Sequence, residues 1–82
     1  MYKIYTKENC SYCRAAKDLL NRKHIQFIEY IIGVNATKEM LLEVLPDVRT
    51  VPQIFYGNQY VGGYEELLER IGHDDEKQFL RD

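Results

Sequence analysis

Two strand-like runs with a helical stretch between them set most of what this 82-residue chain can fold into. Tyr2 to Thr6 is a short run of residues with high β-propensity. Asn9 to Ser11 then reads as a strand-to-helix turn. From Ser11 the period changes: Cys13, Ala16, Leu19 and Leu20 fall on one helical stripe, with Arg14, Lys17, Asp18 and Arg22 on other faces. The helix is expected to fade near Lys23 and His24, where cations suit a C-terminal end. Gln26 to Ile32 is a second strand, and its near-continuous apolar run predicts cover on both faces. A strand, a helix and a strand in this order imply parallel strands with a right-handed crossover.

The rest of the chain adds two helices and a hairpin. Gly33 to Ala36 is a turn. Thr37 to Leu45 repeats the helical period through Met40, Leu41, Val44 and Leu45, with Asn35 or Thr37 as its cap and Pro46-Asp47 as its end. Gln53–Tyr56 and Gln59–Gly62 are strands around a tight Gly57-Asn58 hairpin turn. Gly62-Gly63 breaks the last strand. A third helix carries Leu67, Leu68 and Ile71, with Gly72 past its end, and Asp74 to Leu80 reads as a short terminal helix. The order β-α-β-α-β-β-α predicts an α/β fold with one four-stranded mixed sheet and helices on its faces. Residues 1–82 are read as a single domain, with no internal repeat or low-complexity segment.

Composition narrows the function classes. A net charge of -2 gives no general reason to bind nucleic acid or an anionic membrane. No apolar run approaches the roughly 20 residues that a membrane span needs. The start reads as a strand rather than as a signal region, so the expectation is a cytoplasmic protein; a monomer is also expected.

The two cysteines, Cys10 and Cys13, are three residues apart. A secreted mini-domain stapled by disulfides usually has four, six or eight. A loop this small adds little chain-entropy stabilisation, so the pair suits chemistry better than scaffolding. It sits where a strand hands over to a helix. Cys10 falls at the helix N-terminus, where unpaired backbone N–H groups stabilise a thiolate, and Lys7 and Arg14 add positive charge. In such settings a thiol falls from about 8.5 to between roughly 3.5 and 7.5. Cys10 is thus the expected exposed nucleophile. Cys13, near the buried stripe, is the expected resolving thiol. The competing reading is a metal site, since two cysteines and two histidines make a zinc ligand count. Its spacing is poor: His24 lies eleven residues beyond Cys13, about 16 Å at the helical rise. Both His24 and His73 read as surface residues at helix ends, and no metal ligand is assigned.

Four segments together resemble the glutaredoxin family, a branch of the thioredoxin-like fold: Ile4-Tyr5-Thr6-Lys7, Cys10-Ser11-Tyr12-Cys13, Thr50-Val51-Pro52-Gln53-Ile54-Phe55 and Gly62-Gly63-Tyr64-Glu65-Glu66-Leu67. Their order and spacing fit across essentially the whole chain. The resemblance implies a glutathione-dependent disulfide oxidoreductase. Glutathione, acting as reductant, would form a mixed disulfide with Cys10, flanked by Lys7 and Tyr12. It would pair through its backbone with Val51, before a cis bond to Pro52, and place its γ-glutamyl end at Gly63, Tyr64 and Glu65. Physical chemistry fits these roles. Helix N–H groups after a double glycine suit a carboxylate. Glu65 suits an amine, Lys7 and Arg49 suit the second carboxylate, and the edge at Val51 suits an added strand. Taken alone, Gly62-Gly63 reads as a tight turn, Arg49 and Glu65 as solvated charges, and Pro52 as trans, since about 5–6% of X-Pro bonds are cis. The strand tyrosines Tyr2, Tyr5, Tyr30, Tyr56 and Tyr60 read as packing residues.

One position departs from the commonest family motif, which has proline where this chain has Ser11. Serine frees a backbone N–H and adds a hydroxyl. Some relatives with a small residue there hold an iron–sulfur cluster between two subunits with glutathione as co-ligand, which leaves a non-enzymatic carrier as one alternative. A glutaredoxin-shaped protein reduced by thioredoxin reductase is another; the Gly62-Gly63-Tyr64-Glu65 segment argues against it. Protein disulfides are the expected substrates, with ribonucleotide reductase as an acceptor by family analogy.

Overall fold

The structure, a computed structural model, describes residues 1–72. The terminal helix expected over Asp74 to Leu80, and His73, lie outside the described residues. The elements are β1 (Tyr2–Thr6), α1 (Ser11–Arg22), β2 (Phe27–Ile31), α2 (Lys38–Val44), β3 (Gln53–Tyr56), β4 (Gln59–Gly62) and α3 (Tyr64–Ile71). They form one four-stranded sheet in the order β2-β1-β3-β4. β1 and β2 are parallel, with Tyr2 opposite Phe27 and Thr6 opposite Ile31. β3 runs antiparallel to β1 and pairs Ile4 with Ile54. β4 runs antiparallel to β3 beyond the Gly57-Asn58 turn, where Gly57 takes a φ of 60° that a side chain would resist.

Register decides which residues share a face. Tyr2, Ile4 and Ile54 point to one side and pack with Ala16, Leu19 and Leu20 of α1 and Leu67 of α3 into the core. Ile4, Leu19, Leu20, Ile54 and Leu67 have no exposed surface, and each contributes about 1.5–3 kcal/mol of burial. The stripe read from the sequence of α1 is the buried one: Cys13, Ala16, Leu19 and Leu20. Tyr5 and Phe55 point to the other side, where Glu43 of α2 faces Tyr5 and Val44 lines a groove with Lys3, Tyr5 and Phe55. Tyr30, Tyr5, Phe55 and Tyr60 form an aromatic row there with one ring from each strand, at centroid spacings of 4.9, 6.2 and 5.3 Å.

Two expectations are corrected. β2 is an edge strand, not one covered on both faces: none of its residues is fully buried, and Ile28 is 42% exposed. An apolar run suits a half-covered edge as well as a central strand, and the run alone does not say which. The stripe expected on α2 is also only partly used. Leu41 is buried, whereas Met40 is 39% and Val44 50% exposed. With seven residues, the helix is too short to cover the sheet across its width. Thr37 caps it as expected, its hydroxyl accepting from the Met40 N–H at 3.2 Å. Asn35 instead ties the preceding loop to β2, accepting from the Ile31 N–H at 2.6 Å. No helix among the described residues is long and apolar enough to cross a membrane.

Candidate active site

The turn after β1 carries the first cysteine to a helix end. Asn9 takes a φ of 58°, a left-handed conformation that asparagine tolerates better than most residues. Cys10 follows in an extended conformation as the N-cap of α1. Its Sγ accepts from the backbone N–H of Cys13 at 3.1 Å. The Ser11 and Tyr12 N–H groups open onto the same end and have no intrahelical acceptor. Upon reduction, a thiolate at Cys10 would inherit this set of donors and the positive end of the helix dipole. Cys10 and Cys13 are joined as a disulfide, with 5.2 Å between their Cα atoms. Cys13 is 1% exposed, whereas Cys10 is half-buried, so it is less open than expected of an exposed nucleophile but is the sulfur on the accessible side.

The loop before β3 closes over that sulfur. The Val51–Pro52 peptide is cis, and the Val51 carbonyl lies 3.8 Å from Cys10 Sγ. In the disulfide this sulfur has no hydrogen to donate, so the approach is a packing contact. Gln53, 5% exposed, holds the loop from beneath. Its Nε2 donates to the Thr50 carbonyl at 3.0 Å, and its Oε1 accepts from the Tyr60 hydroxyl.

Two cavities flank Val51, and both are lined by Thr50 and Val51. One, of about 170 Å³, brings Lys7, Lys38 and Arg49 together over a floor of Ile32, Leu41, Leu42 and Val48. The other, of about 420 Å³, is lined by Tyr12, Pro52, Gln53, Tyr60, Gly63, Tyr64, Glu65 and Glu66. Tyr12 is 61% exposed and leans toward Tyr64, with 6.0 Å between ring centroids. Gly62 must be glycine: its φ is 128°, and a Cβ would fall 2.7 Å from Glu66 Cγ. The Glu66 carboxylate accepts from the Gly63 N–H at 2.7 Å.

All eight residues singled out from the sequence beside the two cysteines therefore line these two cavities. Sequence reasoning missed Lys38, Thr50, Gln53, Tyr60 and Glu66. Tyr60, read as packing, is 47% exposed and lines the cleft. Its hydroxyl is held above the ordinary tyrosine value, first by burial and then by the charge of Glu66. Gln53 follows Pro52 directly, and that adjacency was the one signal available. Among the described residues, no three of His, Cys, Asp or Glu come together as a metal-binding group would require.

A half-accessible cysteine capping a helix, disulfide-bonded to a buried one a turn later and facing a Val-Pro loop, defines a thiol–disulfide oxidoreductase of the thioredoxin-like architecture. Comparison with known proteins narrows the class. The glutaredoxin family profile matches residues 3–61. Glutaredoxin 3 of Escherichia coli is 45% identical over 64 residues, covering 78% of this chain and 77% of that protein. The solution structure of a glutaredoxin from Brucella melitensis superposes with a TM-score of 0.69 at 39% identity, over 92% of this chain and 84% of that one. A buckwheat glutaredoxin–glutathione complex superposes with a TM-score of 0.72 at 26% identity, over 93% of this chain and 70% of that one. The chain belongs to the glutaredoxin family.

Proposed function

We propose that the protein is a glutathione-dependent reductase of protein disulfides and of glutathione mixed disulfides, with Cys10 as nucleophile and Cys13 as resolving thiol. The observation that carries this reading is the pair of cavities meeting at Val51 beside Cys10 Sγ. Glutathione is an extended tripeptide with a carboxylate at one end and an amine with a carboxylate at the other. Lys7 and Arg49, joined by Lys38, suit the single carboxylate. The first N–H groups of α3, at Tyr64 and Glu65, suit the γ-glutamyl carboxylate, and the Glu65 side chain suits the amine. The buckwheat complex supports a ligand of this kind on this fold.

In this scheme the Cys10 thiolate attacks a substrate disulfide and expels one sulfur as a thiolate, which takes up a proton. The mixed disulfide is then opened in one of two ways. Either Cys13 attacks Cys10 and releases the substrate thiol, leaving the intramolecular disulfide, or glutathione attacks. On the first route two glutathione molecules reduce the Cys10–Cys13 disulfide and leave as glutathione disulfide; on the second, one glutathione opens a Cys10–glutathione mixed disulfide, freeing the Cys10 thiolate and glutathione disulfide directly.

The deciding experiment follows turnover of a glutathione mixed disulfide with glutathione and glutathione reductase, beside a parallel reaction with thioredoxin reductase. Activity with glutathione alone is expected. Activity with thioredoxin reductase alone would keep the cysteine chemistry and overturn the glutathione site.

A further inference from the structure

The two cavities beside Val51 carry opposite charge. Among the described residues, Lys7, Lys38 and Arg49 line one and no acid does; Glu65 and Glu66 line the other and no lysine or arginine does. All five are exposed, and none is in an ion pair among the described residues. Asp47 shares an adjoining groove with Lys38 and Arg49 but does not line the cavity at Val51. The cations come from three separate parts of the chain: the turn after β1, the first residue of α2 and the loop before β3. Such convergence is more than one solvated helix face offers. Glutathione would bring a single carboxylate to this group, which leaves capacity for more negative charge.

We propose that the cleft selects protein disulfides by charge order, favouring a cysteine preceded by basic and followed by acidic side chains. The inference rests on the reading above that a ligand pairs with the Val51 edge. From Arg49 to Pro52 the chain runs from the cationic cavity toward the acidic one. A substrate segment pairing antiparallel, the more stable arrangement per residue, runs the other way. Residues before its cysteine then lie at Glu65 and Glu66, and residues after it lie at Lys7, Lys38 and Arg49. A protein segment has no α-carboxylate to offer the α3 N–H groups, so the carboxylates of Glu65 and Glu66 meet its side chains instead. The chemistry is disulfide exchange. Cys10 attacks the segment's sulfur, the segment's partner sulfur leaves as a thiolate, and Cys13 then displaces the segment as it forms the Cys10–Cys13 bond. Two electrons pass from the dithiol to the substrate.

The test uses two blocked peptides of identical composition, one with two lysines before and two glutamates after a cysteine, the other with the order reversed. Each cysteine is held as a mixed disulfide with a chromophoric aryl thiol, and the reduced protein is mixed with each in single turnover. The lysine-first peptide should react about tenfold faster at low salt, the scale of a few exposed ion pairs. The difference should vanish near 1 M salt, where the Debye length is about 3 Å. Lys38→Glu with Glu65→Lys should invert the order of rates. Equal rates, a faster glutamate-first peptide or a salt-insensitive preference would overturn the proposal. Turnover of a small uncharged disulfide with glutathione, run alongside, separates the two readings. If it is intact while the peptides react equally, only the charge-order proposal fails. If it is absent while the preference persists, only glutathione dependence fails.

Discussion

On the face of the sheet beneath α1 and α3, Ile4, Leu19, Leu20, Ile54 and Leu67 expose nothing, whereas beneath α2 only Leu41 of that helix is buried and Val44 is half exposed. The sulfur pair straddles the difference. Cys13 belongs to the packed face with the α1 stripe, and Cys10 stands at the rim where Val51, Lys7 and the cleft begin. Close packing fixes the position of Cys13, the proposed resolving thiol, and the helix end beside Cys10, the proposed nucleophile. The looser face supplies Lys38 and part of the floor of the cavity proposed above for ligand recognition. The sulfur pair is thus anchored from the closely packed face, and the proposed docking cavity opens on the partly covered one.

The largest effect should come from the cysteines themselves. Cys10→Ser is expected to abolish turnover of every disulfide. Cys13→Ser is expected to retain part of the activity on glutathione mixed disulfides, because glutathione can release Cys10 without a resolving thiol. Equal and complete loss in both variants would dissolve the division between rim and packed face.

Stability tests the same contrast next. Leu19→Ala empties a site with no exposed surface and should lower unfolding free energy by about 2–5 kcal/mol. Val44→Ala, on the open face, should cost under about 1 kcal/mol, since little area leaves contact. Urea titrations of the two variants measure both. Similar losses would mean that the two faces are packed alike.

How much of this was legible in the sequence follows from the same asymmetry. Where the chain packs closely, periodicity and burial coincide: the Cys13, Ala16, Leu19, Leu20 stripe and all seven element types in order could be read directly. Where cover is partial, pattern and burial part company. β2 looks like an interior strand and lies at an edge, and α2 exposes two of the apolar residues on its stripe. The cysteine pair announced its chemistry through spacing and placement. The rest of the cleft is assembled from segments far apart in the chain, so Lys38 and Tyr60 carried no local sign of their place in it. Neither did Lys17, which pairs with Glu29 at 2.9 Å across from α1 to β2, with Glu29 also accepting from buried Thr6 at 2.7 Å.

A smaller effect probes the link between α2 and recognition. Thr37→Ala removes the cap of the helix that begins with Lys38, worth about 1 kcal/mol of local stability. The expected result is a KM for glutathione raised a few-fold, with the rate of Cys10 alkylation unchanged. A changed alkylation rate with constant KM would place the influence of α2 on the sulfur instead of on the ligand.

The smallest effect is alkaline, and it too belongs to the open face. Tyr5 and Tyr60, both in the aromatic row, have hydroxyls raised above the ordinary value of 10.0. Burial is the larger cause in each; Tyr30 and Glu43 add to it at Tyr5, and Glu66 adds to it at Tyr60. The unfolded chain therefore gives up these protons at lower pH than the folded one. Their contribution is fully present below pH 10 and is lost as pH rises through the raised folded values. Urea midpoints should fall more steeply above pH 10 in the unaltered protein than in Tyr60→Phe. That variant should also lose some stability at neutral pH, because Gln53 forfeits the Tyr60 hydroxyl as a partner. If the two alkaline slopes coincide, Tyr60 is no more constrained than a free tyrosine, and the aromatic row is open at its β4 end.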